Sequence, residues 1–107
     1  MKQYGTKCAV CSVNRVGLVV AAHICPKHAK GSDDWRNGMV LCWTHHAAFD
    51  LGLFGFDPAN LAVVFRKGCD AAGLGITAQR FGGAARPHPN AVAYHAERWK
   101  LVEATKP

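Results

Sequence analysis

The sequence predicts a small α+β domain built around bound metal, with a cysteine knuckle at its N-terminus, an added hairpin and a C-terminal helix. Three observations predict it. A β-branched strand, a polar loop, a second apolar run and a short helix follow one another between Val16 and Leu51. Pairs of potential metal ligands separated by two residues flank that unit, Cys8 with Cys11 and Cys42 with His45. Downstream lie a paired apolar pattern with a turn between its halves and one amphipathic run. The chain has 107 residues, half of them apolar, which supports one modest core and so a single domain over 1–107.

The first strand is expected over Val16 to Ile24, a continuous apolar run ended by Pro26. His23 then stands near a strand end. Lys27 to Asn37 is charged and polar, with Gly31 inside and Gly38 beside it, and reads as a loop. Met39 to Trp43 is the second strand, and Thr44 is the expected N-cap of a helix from His45 to about Leu51, closed by Gly52. On that helix His46 and Asp50 share a face, and His45 points about a quarter-turn away. Adjacent histidines can therefore serve different metals.

Leu53 to Phe56 and Leu61 to Phe65 flank Asp57-Pro58-Ala59-Asn60 and predict a hairpin. Gly68 to Gly83 is glycine-rich and weakly patterned, hence loop. Pro87-His88-Pro89-Asn90 leads into a helix from about Ala91 to Ala104, with Val92, Ala96, Trp99 and Val102 as its apolar stripe.

Composition narrows the function. Net charge is +6, from 13 Lys and Arg against 7 Asp and Glu, which favours a polyanionic partner through phosphate contacts. No apolar stretch approaches the roughly 20 residues that span a bilayer, and Met1-Lys2-Gln3-Tyr4-Gly5 lacks the order of a secretion signal. The expected protein is soluble, cytoplasmic and without membrane contact. Five cysteines, two of them closely spaced, suit chelation in a reducing compartment better than a disulfide framework. Cys25 and Cys69 read as small apolar fillers.

Cys8, Cys11, Cys42 and His45 would close a four-coordinate structural zinc site of three thiolates and one imidazole. Cys25 and His28 repeat the same spacing, so Cys8 and Cys11 with Cys25 and His28 form a competing set.

His23, Asn37, His46 and Asp50 are the second constellation. Ala21-Ala22-His23-Ile24, Asn37-Gly38, Leu41-Cys42-Trp43-Thr44-His45-His46 and Phe49-Asp50-Leu51-Gly52 together resemble the HNH endonucleases over roughly residues 8 to 57. The resemblance is closest to the HNH domains of bacterial restriction endonucleases, including modification-dependent ones, and a looser likeness continues at Arg86-Pro87-His88-Pro89 and Tyr94 to Trp99. It implies the ββα-metal (His-Me finger) fold, with 58–107 as supporting hairpin, loop and helix, and a bacterial or phage origin. It implies His23 as general base, Asn37 as the residue orienting it, and His46 and Asp50 as ligands of a catalytic Mg²⁺ or Mn²⁺, other divalent ions being compatible with the donors. It also implies DNA as substrate, held mainly through phosphates. The chain departs from many members at Ala22, where a metal-binding Asp or His often precedes the base.

Lys27, Lys30, Arg36, Arg66, Lys67, Arg80, Arg86, Arg98 and Lys100 could touch phosphates without reading bases. No base-reading module is evident, so target choice is expected from a specificity domain outside this chain or from a partner; a homodimer is the other candidate assembly. The rival reading is a zinc-stabilised DNA-binding or interaction module that lacks turnover.

Overall fold

The structure is a computed structural model, and it describes residues 5–24, 37–83 and 86–101. Strand β1 (Val19–His23) pairs antiparallel with β2 (Gly38–Cys42), in the register Val19 to Cys42 through His23 to Gly38. Helix α1 (Trp43–Asp50) follows directly. Strands β3 (Phe54–Phe56) and β4 (Val63–Phe65) form a second hairpin; α2 (Ala71–Leu74) and α3 (Pro89–Trp99) complete the order. The strand, strand, helix unit is the ββα arrangement that the sequence predicts.

Strand β1 is shorter than expected. Gly17 adopts φ +97°, and the Leu18 amide closes a turn onto the Arg15 carbonyl at 3.0 Å, so Val16 and Leu18 lie exposed ahead of the ladder. Apolar character alone does not mark where pairing begins. Upstream, Cys8 N–H donates to Val13 O at 2.8 Å, and Ala9 N–H donates to Val40 O at 2.9 Å. The knuckle is thereby fastened to β2, with Cys8, Ala9 and Val10 fully buried.

Helix α1 begins earlier than Thr44. Its N-cap is Cys42, which has extended backbone and makes no side-chain capping bond, while Thr44 lies exposed in the first turn. The strand-to-helix joint sets this boundary, because the Cys42 side chain is directed at other cysteines instead of at the helix amides. The C-terminus ends on Gly52 as expected. Gly52 N–H reaches Phe49 O and Leu53 N–H reaches Ala48 O, both paired as in a Schellman motif around a left-handed glycine at φ +70°. The Trp99 ring packs onto that glycine so closely that an added Cβ would meet its Cδ2 at 2.0 Å. Gly52→Ala combines left-handed strain with overpacking and is expected to destabilise the fold by about 3 kcal/mol, readable as a shift in the urea midpoint; an unchanged midpoint would refute this packing.

The hairpin turn lies where the sequence predicts it. Asp57 Oδ1 accepts from Ala59 N–H at 2.8 Å and Asn60 Oδ1 from Ala62 N–H at 2.9 Å, so the turn's polar side chains satisfy its own amides. Phe49, Phe54 and Phe56 form the centre of the core, with Phe49–Phe54 and Phe54–Phe56 ring centroids 5.5 and 5.9 Å apart in edge contacts.

The stretch from Gly68 to Gly83 is not all loop. Asp70 caps α2 by accepting from Gly73 N–H at 2.7 Å, and left-handed Gly75 ends it. Beyond it, Thr77 and Ala78 amides share Val10 O, Gly82 N–H donates to Ala9 O at 2.7 Å, and Val63 N–H donates to Gln79 O at 2.9 Å. The segment laces the knuckle to the hairpin through bonds that leave no periodic signature. Helix α3 starts at Pro89, two residues before the expected Ala91, because His88 Nδ1 caps it by accepting from Asn90 N–H at 3.1 Å. It ends at Trp99, with left-handed Lys100 as its C-cap, and not at Ala104. Its buried residues are Ala91, Val92 and His95, while Ala96 and Trp99 are half-buried and Val102 lies outside the described residues. Among the described residues, no helix is long and apolar enough to cross a membrane.

Candidate metal centre and active site

Cys8, Cys11, Cys42 and His45 converge, all buried, with their ligand atoms within 4.8 Å of one another. Three elements deliver them: the knuckle gives two thiols, the end of β2 one, and the first turn of α1 the imidazole. Cys11 and Cys42 Sγ are 3.9 Å apart, and His45 Nδ1 stands 3.7 Å from Cys8 Sγ and 3.2 Å from Cys42 Sγ. A tetrahedral zinc with Zn–S near 2.3 Å and Zn–N near 2.0 Å sets such edges at about 3.8 and 3.5 Å, so the donor set fits the ion. His45 Nε2 donates to Leu74 O at 2.7 Å, which leaves Nδ1 as the ligand atom and ties α2 to the cluster. Cys25 and His28, the competing pair, lie outside the described residues.

The thiols carry the electrostatic mark of a cation site. Burial opposes ionisation of Cys8, yet amides of Val10 and Cys42 and the side chains of His45 and Cys11 outweigh it and bring the thiol down to about 7. Burial pushes Cys11 up to about 11 against the Val13 amide, and neighbouring negative charge at Cys8 and Cys42 adds to the rise. The opposite shifts are one effect, since the first thiolate makes the next costly. A divalent cation removes that cost.

A different face of α1 carries His46 and Asp50. His46 Nε2 and Asp50 Oδ2 are 3.2 Å apart, one helical turn from each other. Donors about 2.1 Å from an octahedral ion stand about 3 Å apart, so this pair could hold one edge of such a site. His23, exposed at the end of β1, lines the same cavity of about 590 Å³ as His46 and Asp50. Ala22 lines it too, and offers no ligand. Asn37 is buried and stands beside Gly38, the ladder partner of His23; its carbonyl accepts from Ile24 N–H at 3.0 Å. It does not line the cavity. Trp43 meets His46 edge-on with centroids 6.2 Å apart, and its indole N–H donates to Gly17 O at 3.2 Å.

Two ligand groups thus use different faces of one short helix, and one of them opens to a solvent cavity beside a histidine. Residues 8–57 match the family model described as HNH endonuclease. That segment, a little under half of the chain, is of the HNH endonuclease type. No curated protein matches the chain.

The HNH segment does not build its cavity alone. Tyr94, His95, Arg98 and Trp99 of α3 supply another wall, from outside the matched residues. Sequence reasoning gave this face no role in the site, although positions 94, 95, 98 and 99 fall together on a helix and could have been read as one stripe. His95 is structural: its ring stacks on Phe49 at 3.6 Å and 5°, and Nε2 donates to Phe49 O at 2.9 Å. Its Nδ1 is buried without a hydrogen-bond partner among the described residues, and an added Cβ on Gly55 would meet it at 2.7 Å.

Burial pushes the pKa of His95 from 6.5 down to about 4; the Phe49 carbonyl and Asp50 resist the fall and Arg98 adds to it. The folded protein therefore keeps His95 neutral while the unfolded chain protonates it below 6.5. Stability from this group is complete above pH 6.5, declines as pH falls, and has lost roughly 3 kcal/mol by pH 4. His95→Phe is expected to lessen the drop in urea midpoint between pH 7 and 5, with zinc content followed in parallel. Identical pH dependence in the two proteins would refute the assignment.

Proposed function

We propose that this HNH protein is a metal-dependent endonuclease that hydrolyses phosphodiester bonds of DNA. His23 takes the proton from the attacking water, whose oxygen bonds to phosphorus as the bond to the 3′ oxygen breaks and that oxygen takes a proton from solvent water, leaving 5′-phosphate and 3′-hydroxyl ends. Asn37 orients His23 from behind, and His46 and Asp50 hold a Mg²⁺ or Mn²⁺ ion. When bound, that ion neutralises charge growing on the phosphate and leaving oxygens. The Cys8, Cys11, Cys42 and His45 cluster holds a structural zinc apart from this chemistry. Net charge of +6 favours the polyanionic substrate. A nuclease domain of a restriction enzyme, with target choice supplied elsewhere, is the setting we infer from the sequence.

The observation that carries this reading is the common cavity of His23, His46 and Asp50, separate from the buried cluster. Zinc-loaded protein is expected to nick supercoiled plasmid when Mg²⁺ or Mn²⁺ is added. Salt-sensitive DNA binding with no nicking under either ion would make it the non-catalytic module instead.

A further inference from the structure

The cavity wall outside the matched segment carries a cation of its own. Arg98 lines it, is exposed, and pairs with no carboxylate among the described residues. Its guanidinium lies over the Trp99 indole, 5.1 Å from the ring centroid. A second guanidinium, that of Arg66 beyond β4, lies 5.6 Å from the same centroid, and its Nη1 reaches Leu51 O at 3.5 Å. The ring that holds both is seated on Gly52, two residues past Asp50. One indole thus fixes two arginines relative to the end of α1 that presents the expected metal ligands.

Stacking on an aromatic face restrains a guanidinium and leaves its planar donors available for phosphate oxygens. A long side chain held this way loses less freedom on binding than one waving in solvent. Asp50 is the carboxylate of the cavity lining, so the cation on the α3 side gives the cavity an acidic, metal-binding part and a basic part. A single phosphate would be served by the metal side alone; two restrained arginines suit a backbone that continues past it.

We propose that Arg98 and Arg66, held by Trp99, bind the DNA backbone at phosphates adjoining the one that is hydrolysed, making α3 and the β4 edge the substrate-positioning part of the site. This rests on the nuclease reading of His23, His46 and Asp50, and extends the site beyond residues 8–57. The arginines are positioning residues, not reacting ones.

The test is binding of zinc-loaded protein to a fluorescent duplex oligonucleotide without Mg²⁺ or Mn²⁺, across a series of salt concentrations. Arg98→Gln and Arg66→Gln should each weaken affinity about 5- to 10-fold and lower the slope of log affinity against log salt by about one. Trp99→Leu, which keeps every charge, should also weaken binding; if it unfolds, the two arginine variants decide alone. Arg98→Lys should recover the salt slope but not the full affinity. Wild-type affinity and salt slope in both arginine variants, with zinc content and melting temperature retained, would overturn the proposal. The nuclease reading fails separately: a protein whose salt slope depends on Arg98 but which never nicks supports the phosphate ledge and refutes the enzyme.

Discussion

Stripping the metal from the Cys8, Cys11, Cys42 and His45 cluster is expected to unfold the domain. The four ligands come from the knuckle, β2 and α1, and the His45 bond to Leu74 O adds α2, so four parts of the fold meet at this point. Apparent binding energies of structural zinc in small domains are about 10 to 16 kcal/mol, whereas whole domains are stable by about 5 to 15 kcal/mol. The metal is therefore expected to supply most of the net stability. Without it, three buried thiols and an imidazole remain in one pocket, where negative charge at Cys8 and Cys42 opposes ionisation of Cys11. Cys42→Ala should lose zinc and its cooperative melting transition, and a strong chelator should do the same to wild type, reversibly on adding Zn²⁺. Cys25→Ala should keep its zinc. A chelated protein that melts like the native one would refute the structural role, and zinc lost from Cys25→Ala but not from Cys42→Ala would favour the Cys25 and His28 set.

His23→Ala is expected to lower plasmid nicking by about 10²- to 10⁴-fold, the range that a positioned acid–base group contributes, while leaving the fold intact. The two effects separate because His23 is exposed at the end of β1, where truncation costs about 0.5 kcal/mol or less. Its neighbours Ala22 and Ile24 point into the core and hold the strand end in place. Melting temperature and zinc content of the variant should match wild type. Nicking that survives at wild-type rate would remove His23 from the reaction, whatever else the protein does.

Much of this site was legible in the residues. Ligand spacing is a direct constraint of coordination geometry, so Cys8, Cys11, Cys42 and His45 could be named beside the rival Cys25 and His28 pair, and the four-residue interval placed His46 and Asp50 on one face. Gly52 and the Asp57 to Asn60 turn were readable because each answers a local backbone need. The rest depended on partners distant in sequence. Val16 and Leu18 look like strand, but nothing local shows that the ladder starts at Val19. Thr44 is the better capping residue, yet the joint at Cys42 decides where α1 begins. The segment after Gly68 is ordered by amides reaching Ala9, Val10 and Leu61, bonds that no periodicity encodes. The role of α3 was hidden for the same reason: the seat of Trp99 on Gly52 and the stack of His95 on Phe49 bring Tyr94 and Arg98 to the cavity.

The central claim is that two ions do two jobs on different faces of α1. It is tested most directly by titrating Mn²⁺ into zinc-loaded protein while nicking rate and bound zinc are followed in the same samples, for wild type and for His46→Ala. Nicking should rise with Mn²⁺ while zinc stays at one per chain, and His46→Ala should keep its zinc but lose the Mn²⁺ response. Full nicking by the zinc-only protein, or an unaltered Mn²⁺ response in His46→Ala, would contradict it.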